Sequence, residues 1–392
     1  MECNFCRCQK LKEAYRPKGT TRSLVILICQ NCGLVQSSSK KMRKKKSVLT
    51  STKEKRIMKL SCDADYSEVR VGKGQMAQAA IQMIGANLKI KPSDKIVDVL
   101  DICSARGDFA MLALEHLKLQ SIDCVDPDAY MTVSYAHDPR IRLTIGKYAD
   151  LKTNRLYDLV YSCHSLEHYR DPAKKLAFLV EHIKPNRYLL LDVPNIETIT
   201  DGHNVDEFFY DYHRYYFNRE ILINYVSHLG MELVSQNNSI YSIMLLVKKT
   251  GVQTTTVSTE RYAEYNEKVI SEYQNNLTYN RSKLPVIAEA MRHLAKGNRS
   301  ALFGCGRVLD AMITYGGLDL DHFQFLVDNF LKRTTDSLYR KKLYDASVLD
   351  KAGVDTIFLL TRSSTGELKD ALRKQYPHVT LVHWSDLCDS AV

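Results

Sequence analysis

Between residues 76 and 195 short apolar runs alternate with longer amphipathic stretches. MAQAAIQMIGANL (76–88) repeats its apolar residues at helical spacing, and KIVDVLDI (95–102) is a β-rich run reaching Asp101. CSARGDF (103–109) follows as a turn of small residues and AMLALEHL (110–117) as a helix. SIDCV (121–125) ends at Asp126, LYDLVYSCHSLEH (156–168) reads as a fourth-strand pattern, and YLLLDVPN (188–195) supplies a strand after Lys184 and Pro185. Apolar strands separated by helices predict a doubly wound Rossmann-like α/β sheet whose crevice opens at the carboxyl ends of its strands. The pattern recurs in SALFGCG (300–306), HFQFLVDN (322–329) and DTIFLLT (355–361), which predict a second, C-terminal α/β unit. A polar break, TGVQTTTVSTE (250–260), and a long helical stretch separate the two.

The N-terminal segment has a different logic. Cys3 and Cys6 form one Cys-x-x-Cys pair and Cys29 and Cys32 another, with SLVIL (23–27) leading into the second as a strand. Two such knuckles can bring four thiolates to the corners of a tetrahedron about 2.3 Å from a zinc ion, and four protein ligands leave no open position. Gly33, directly after Cys32, permits a tight turn. The segment therefore predicts a structural Zn2+ ribbon; Cys8 is a competing ligand and a set of ordinary reduced thiols the plainer reading. The expected division is a zinc-binding module over 1–38, a basic linker and lead-in over 39–74, the first α/β domain over 75–250, a linker and long helix over 251–298 and a C-terminal Rossmann-like domain over 299–392.

Charge and composition narrow the setting. No apolar run reaches the roughly 18 residues that span a bilayer, and the N-terminus lacks the apolar core of a signal peptide. With eleven cysteines grouped as two close pairs plus scattered thiols, the expectation is a soluble cytoplasmic protein in a reducing compartment. The net charge of +10 is concentrated in SSSKKMRKKKS (37–47), where the run from Lys40 to Lys46 reads as a solvated linker, a clamp for an anionic ligand or a targeting tract.

DICSARGDF, CVDPD, YADL, YDLVYSCHSLEH and YLLLDVPN occur in the order and spacing of the class I S-adenosylmethionine-dependent methyltransferases, which this segment resembles. The resemblance implies that Asp101, Cys103 and Gly107 lie along the methionine part of the cofactor, that Asp126 holds the ribose, and that Asp150 faces the adenine. Ser162, at the end of the fourth strand, falls in the same cofactor crevice. Only Gly107 survives of a glycine-rich loop, the other positions holding Cys103 and Ala105; a nicotinamide-binding fold, the rival reading, would want a fuller glycine turn. The order of ribbon, core and C-terminal α/β unit further resembles the sugar C-methyltransferases of deoxysugar biosynthesis, over nearly the whole chain. In that family the C-terminal domain helps to bind the nucleotide end of the substrate.

That family's Tyr-His-Glu-His signature corresponds here to YDYHRYYFN (210–218), with Tyr210 and His213 kept, and Asp211 and Tyr212 in place of a histidine and a glutamate. Methyl transfer from a sulfonium is a single in-line displacement, so the enzyme aligns acceptor and methyl and removes a proton. A histidine that titrates near neutrality suits the last task. His213 is the expected general base, unless it only packs beneath the surrounding aromatics. His168 is an acid/base or substrate-contacting candidate unless it merely starts a helix, and Tyr210 could hydrogen-bond the acceptor. The acceptor expected is a small molecule, a nucleotide sugar, methylated at carbon or oxygen. A nucleic acid gripped through the Lys40–Lys46 run is the second reading, and a catalytically inactive binding protein the third. Oligomeric state is not legible.

Overall fold

The computed structural model describes residues 1–17, 23–40, 74–88, 96–129, 132, 135–200, 204–209, 213–239, 242–252, 260–329, 331–333, 335–361 and 366–387. Tyr210, Asp211 and Tyr212, and the basic run from Lys41 to Lys46, lie outside the described residues. The chain divides into two compact units. The first takes in Met1–Lys41, Val71–Ile199 and Phe209–Ser271, and the second Thr200–Phe208 and Glu272–Val392.

The first unit is built on strands β4 (Val99–Ile102), β5 (Ile122–Asp126), β6 (Ile141–Ile145), β7 (Tyr157–Cys163), β8 (Ile183–Pro194), β10 (Met231–Gln236) and β11 (Ser242–Lys249). Their order across the sheet is β10-β11-β8-β7-β4-β5-β6. β6 through β8 run parallel, while β11 is antiparallel to both β8 and β10. Every residue of β4, β5 and β7 is buried, as expected of parallel strands covered on both faces. From β4 the chain moves outward to β5 and β6 and then returns to add β7 on the other side. That reversal makes the carboxyl ends of β4 and β7 the topological switch point, where such sheets open a crevice.

The helices of this unit are α1 (residues 74–87), α2 (Asp108–His116), α3 (Pro172–Glu181) and α4 (Arg219–His228). The caps follow from sequence: Asp171 accepts from Lys174 N ahead of Pro172 at the first turn of α3, and Asn218 accepts from Ile221 N at α4. The N-terminal segment contributes β1 (Leu11–Tyr15), β2 (Ser23–Cys29) and β3 (Val35–Lys40), to which β9 (Tyr215–Tyr216) adds as the fourth strand of an antiparallel sheet. Its cysteines share a core with the large sheet: Cys3, Cys29 and Cys32 pack in one cluster with Leu100, Leu189, Phe217 and Tyr225.

The second unit carries β12 (Ser300–Phe303), β13 (Phe325–Val327), β14 (Ser337–Leu338), β15 (Lys341–Tyr344), β16 (Thr356–Leu359) and β17 (Thr380–His383), ordered β14-β15-β13-β12-β16-β17. All are parallel except β14. The long helix α5 (Glu260–Ala295) precedes β12, and α6 (Arg307–Gly316), α7 (Ser347–Ala352) and α8 (Gly366–Gln375) pack among the strands. No described helix is long and apolar enough to cross a membrane.

Candidate functional site

An open pocket lies at the switch point, lined among others by Asp101, Cys103, Ser104, Ala105, Asp108 and Cys163. The turn that walls it is unusual. Cys103, Ala105 and Gly107 all have positive φ, at 62°, 47° and 76°. The loop thus keeps the left-handed backbone of a glycine turn at three alternate positions although only one is glycine, and non-glycine residues enter that region at a cost. Gly107 itself is obligatory for a second reason, because an added Cβ would lie 2.5 Å from the ring of Tyr135. Tyr135 in turn shares a 2.6 Å hydrogen bond with Ser104 Oγ.

Asp126 ends β5 beside this turn, its two carboxylate oxygens accepting from Ala105 N and Asp128 N at 2.8 Å each. Asp101 is buried at the end of β4 and faces the pocket. Cys103 Sγ is 3.3 Å from Tyr169 Oη. Asp150 is exposed and caps the short turn Tyr148–Asp150 by accepting from Lys147 N at 2.7 Å. Ser162 is buried and pairs with Ser165 Oγ at 2.7 Å. Asp101 and Cys103 therefore share one pocket; Gly107, Asp126, Asp150 and Ser162 are not among the residues that line it.

His168, on the loop after β7, meets His213, which precedes β9. The 3₁₀ turn Leu166–His168 places Glu167 inward, 1% exposed, with Glu167 Oε1 3.5 Å from His168 Nε2 and 4.0 Å from His213 Nε2. The two imidazoles meet edge to face, centroids 4.8 Å apart, and His213 also lies against Tyr216 at 5.9 Å. His213 is buried and His168 exposed. The backbone fixes this arrangement, with Arg214 N donating to Glu167 O at 2.8 Å, Ser37 N to Arg214 O at 2.7 Å, and Ser37 Oγ to His213 O at 3.2 Å. His164 takes another course: its backbone has φ 43°, and its ring points to the buried Asp192 carboxylate at 3.8 Å. Sequence reasoning passed over Lys175, which is fully buried on α3, donates to Ser165 Oγ at 2.6 Å and lies over the Tyr169 ring at 3.9 Å. Its signal was positional, since residues 172, 175, 176, 179 and 180 form the buried stripe of α3.

The four N-terminal thiols converge. Cys3 and Cys32 Sγ are 3.5 Å apart, Cys6 and Cys29 Sγ 3.4 Å, and all four sulfurs lie within 4.8 Å of one another. A tetrahedron with Zn–S bonds of about 2.3 Å has edges of roughly 3.8 Å, so the donor set and spacing fit a closed zinc site. Cys8 stands apart, its sulfur accepting from Lys10 N. Gly33, at φ 76°, closes the second knuckle where a Cβ would meet the Tyr262 backbone at 2.7 Å. Asn4, between the cysteines of the first knuckle, donates to Asp171 Oδ1 and accepts from Ala173 N and Tyr225 Oη, and Phe5 stacks on Tyr225 at 3.9 Å. The ribbon is thereby bonded to the start of α3 and to α4.

In the second unit, Gly304, Cys305 and Gly306 turn from β12 into α6, and Asp328, after β13, accepts from Cys305 N at 3.0 Å and from Leu331 N at 2.8 Å. This repeats the relation between Asp126 and its own turn.

Residues 72–236 match the methyltransferase domain family. The ubiquinone biosynthesis O-methyltransferases of Rickettsia canadensis (strain McKiel) and Rickettsia akari (strain Hartford) are each 26% identical over 102 residues, 25% of this chain and 43% and 41% of theirs. The chain thus spans less than half the length of these curated relatives. Among solved structures, an S-adenosylmethionine-dependent methyltransferase from Clostridium acetobutylicum ATCC 824 is 17% identical with a TM-score of 0.34, over 40% of this chain and 86% of that one. Magnesium protoporphyrin IX methyltransferase from Synechocystis PCC 6803, with bound SAH, is 14% identical with a TM-score of 0.37, over 48% and 93%. Residues 72–236 are a class I S-adenosylmethionine-dependent methyltransferase domain.

Proposed function

We propose that the protein transfers a methyl group from S-adenosylmethionine to a sugar, carried on a nucleotide, at carbon or oxygen. His213 acts as general base, His168 and Tyr210 bind the acceptor, and a structural zinc ion occupies the site of Cys3, Cys6, Cys29 and Cys32. The observation that carries the reading is the approach of His168 and His213 to one buried carboxylate on the loop after β7, at the same carboxyl edge of the sheet as the pocket of Asp101 and Cys103. A neutral imidazole at that edge can take the proton that an acceptor hydroxyl or carbon acid must lose, a task worth about 10² to 10⁴ in rate.

S-adenosylmethionine supplies a methyl group on a sulfonium, already activated for displacement. The chain's residues bind and orient it: Asp126 offers carboxylate oxygens to ribose hydroxyls, the turn from Cys103 to Ala105 walls the pocket, and Asp101 faces the methionine end. The ribbon's part is structural, since β3 pairs with β9 beside His213. The three-part order of ribbon, methyltransferase domain and second α/β unit favours the nucleotide-linked sugar. A second reading, a hydroxylated acceptor that is not a sugar, is favoured by the O-methyltransferase names of the Rickettsia relatives.

Calorimetric titration of the zinc-loaded protein with S-adenosylmethionine and S-adenosylhomocysteine, repeated on Asp126→Ala, tests the cofactor site. Saturable binding lost in the variant is the expected result; no binding to folded wild type overturns the proposal. An acceptor screen across sugar nucleotides, phenols and RNA then reads the substrate class. His213→Gln should lower turnover about 10² to 10⁴-fold with S-adenosylhomocysteine affinity unchanged.

A further inference from the structure

A second group of donors lies just before the turn that carries Glu167. Cys163 ends β7 and pairs in parallel register with Asp192 of β8, so the thiol and the carboxylate project from the same face of the sheet. His164 follows and turns out of the strand. Its backbone enters the left-handed region at φ 43°, its N–H donates to Asp192 O at 2.8 Å, and its ring comes back to the Asp192 carboxylate. A non-glycine residue holds that backbone at a cost, and such strain gathers where a site needs a side chain aimed in one direction.

The separations are those of metal ligands. Cys163 Sγ is 3.8 Å from Asp192 Oδ2, His164 Nε2 is 3.8 Å from Asp192 Oδ1, and the three donor atoms all lie within 4.8 Å of one another. At 3.8 Å neither contact is a good hydrogen bond. Two ligands bonded to one tetrahedral ion at about 2.0–2.3 Å stand roughly 3.4–3.6 Å apart, so a shift of a few tenths of an ångström brings each of these pairs onto an ion. The group is also buried: Cys163 is 9% exposed, the His164 side chain 6% and Asp192 0%. Phe109, Tyr161, Leu190 and Met244 pack in the same cluster as Cys163. A divalent ion, a thiolate and a carboxylate sum to zero charge, which relieves the penalty of burying the anions unpaired in such surroundings. Cys163 provides the way in, because it lines the pocket at the switch point together with Asp101 and Cys103.

We propose that Cys163, His164 and Asp192 form a second metal site, which takes a borderline divalent cation such as Zn2+ or Fe2+ and leaves it a free coordination position. A thiolate and an imidazole select such ions over Mg2+ and Ca2+, which want oxygen ligands. Three protein ligands are the number found where an ion keeps a place for water or a substrate, in contrast to the closed set of four cysteines. The cation sits in the wall of the pocket at the switch point. Loading it costs Cys163 its thiol proton, which passes to solvent, so affinity rises with pH. The site depends neither on the identity of the methyl acceptor nor on His213 acting as base, and it stands or falls by metal binding alone.

The probe is Co2+, added to full-length protein dialysed to one zinc per chain, the ion that the closed four-cysteine site retains. One Co2+ should bind per chain, with a thiolate-to-cobalt charge-transfer band in the near ultraviolet and no competition from a large excess of Mg2+. His164→Gln, Asp192→Asn and Cys163→Ser proteins that melt like wild type should each bind Co2+ at least about 100-fold more weakly, since even partners one layer beyond a metal's ligands are worth about 10–100-fold. Cys163→Ser should also lose the band. Absence of saturable Co2+ binding to wild type overturns the proposal. So does binding without the band, which puts the ion on oxygen and nitrogen donors elsewhere, and so does a band that grows only as zinc is lost, which reports exchange at the four cysteines. Wild-type affinity in folded His164→Gln and Asp192→Asn would reduce the group to an imidazole–carboxylate pair beside a thiol. Where none of the variants folds, X-ray absorption of cobalt-loaded wild type decides: one sulfur among lighter neighbours is the expected shell, and four sulfurs or none overturns the site.

Discussion

Gly107→Ala separates what the letters of the cofactor turn say from what its backbone does. Two costs add at this site. The backbone is at φ 76°, where any side chain is disfavoured by about 1–2 kcal/mol. The new Cβ would also lie 2.5 and 2.6 Å from two ring carbons of Tyr135, with the ring buried and its hydroxyl tied to Ser104; overpacking of that kind costs about 1–3 kcal/mol. The expected loss is therefore about 2–5 kcal/mol, read as a shift in the urea midpoint followed by circular dichroism, and weaker S-adenosylhomocysteine binding should accompany it. Gly107→Ala combined with Tyr135→Ala should be less damaging than the sum of the singles by about 1–2 kcal/mol, because the clash is counted only once. Cys103→Gly and Ala105→Gly run in the opposite direction. Their backbones already occupy the left-handed region, so glycine relieves strain, and each should be neutral or stabilising by up to about 1 kcal/mol. A loss below about 0.5 kcal/mol in Gly107→Ala, or a clear destabilisation by Ala105→Gly, would refute the reasoning.

Chelation of the four-cysteine site should lower the melting temperature by roughly 5–10 °C, equivalent to a few kcal/mol for a unit of this size; elemental analysis should find one zinc per chain in wild type and none in Cys29→Ser. Lys175, lowered by burial from its ordinary 10.5 to about 8, makes stability rise with pH. Between these two values the unfolded chain binds more protons than the folded one, so relative to Lys175→Met wild type should gain up to about 3 kcal/mol from pH 8 to pH 10.5 and show a flat difference below pH 8, measured by denaturation across that range. Asp158 behaves as the acidic counterpart: burial raises its carboxyl, but the N–H groups of Asp98 and Val97 and the Lys184 ammonium bring it below its ordinary 3.8. Its contribution is therefore complete above pH 3.8 and lost as pH falls through the lower folded value, and Asp158→Asn should cost about 3 kcal/mol at pH 7, with the gap closing in acid.

The large sheet was legible because parallel strands advertise themselves. Runs such as LYDLVYSC are buried on both faces and leave no polar alternation, and the intervening helices carry their own period. The antiparallel partner of β8 was harder, since SIMLLVKK (242–249) gives no hint of direction and its pairing with β8 is decided by tertiary contacts. The conformation of the cofactor turn was not legible from its letters. Cys103 and Ala105 look like losses of glycine, yet both keep the glycine backbone, because hydrogen bonds such as those from Cys103 N to Val125 O and from Ala105 N to Asp126 hold the chain there against its own preference.

The histidine cluster shows a second kind of limit. His168 and His213 are 45 residues apart in sequence, and only the pairing of β3 with β9 and the Arg214–Glu167 backbone bond bring them to one carboxylate. A sequence can nominate such residues singly, by type, but their meeting is decided by tertiary contacts. Lys175 illustrates why: beside Lys174, in a helix rich in lysine and leucine, it looks like one of a solvated pair. The helical period assigns the neighbours opposite fates, Lys174 to the exposed face and Lys175 to the buried stripe. A buried lysine is expensive enough that its retention calls for a charge or a role that compensates it. In this fold Lys175 is held by the Ser165 hydroxyl at 2.6 Å and by the face of the Tyr169 ring at 3.9 Å, so the loop after β7 is what accommodates its charge. Ser165→Ala and Tyr169→Leu should therefore each destabilise the protein by about 1–3 kcal/mol, read as a shift in the urea midpoint, because each leaves the buried Lys175 short of a partner, whereas Lys174→Ala on the exposed face of α3 should change it by less than about 0.5 kcal/mol.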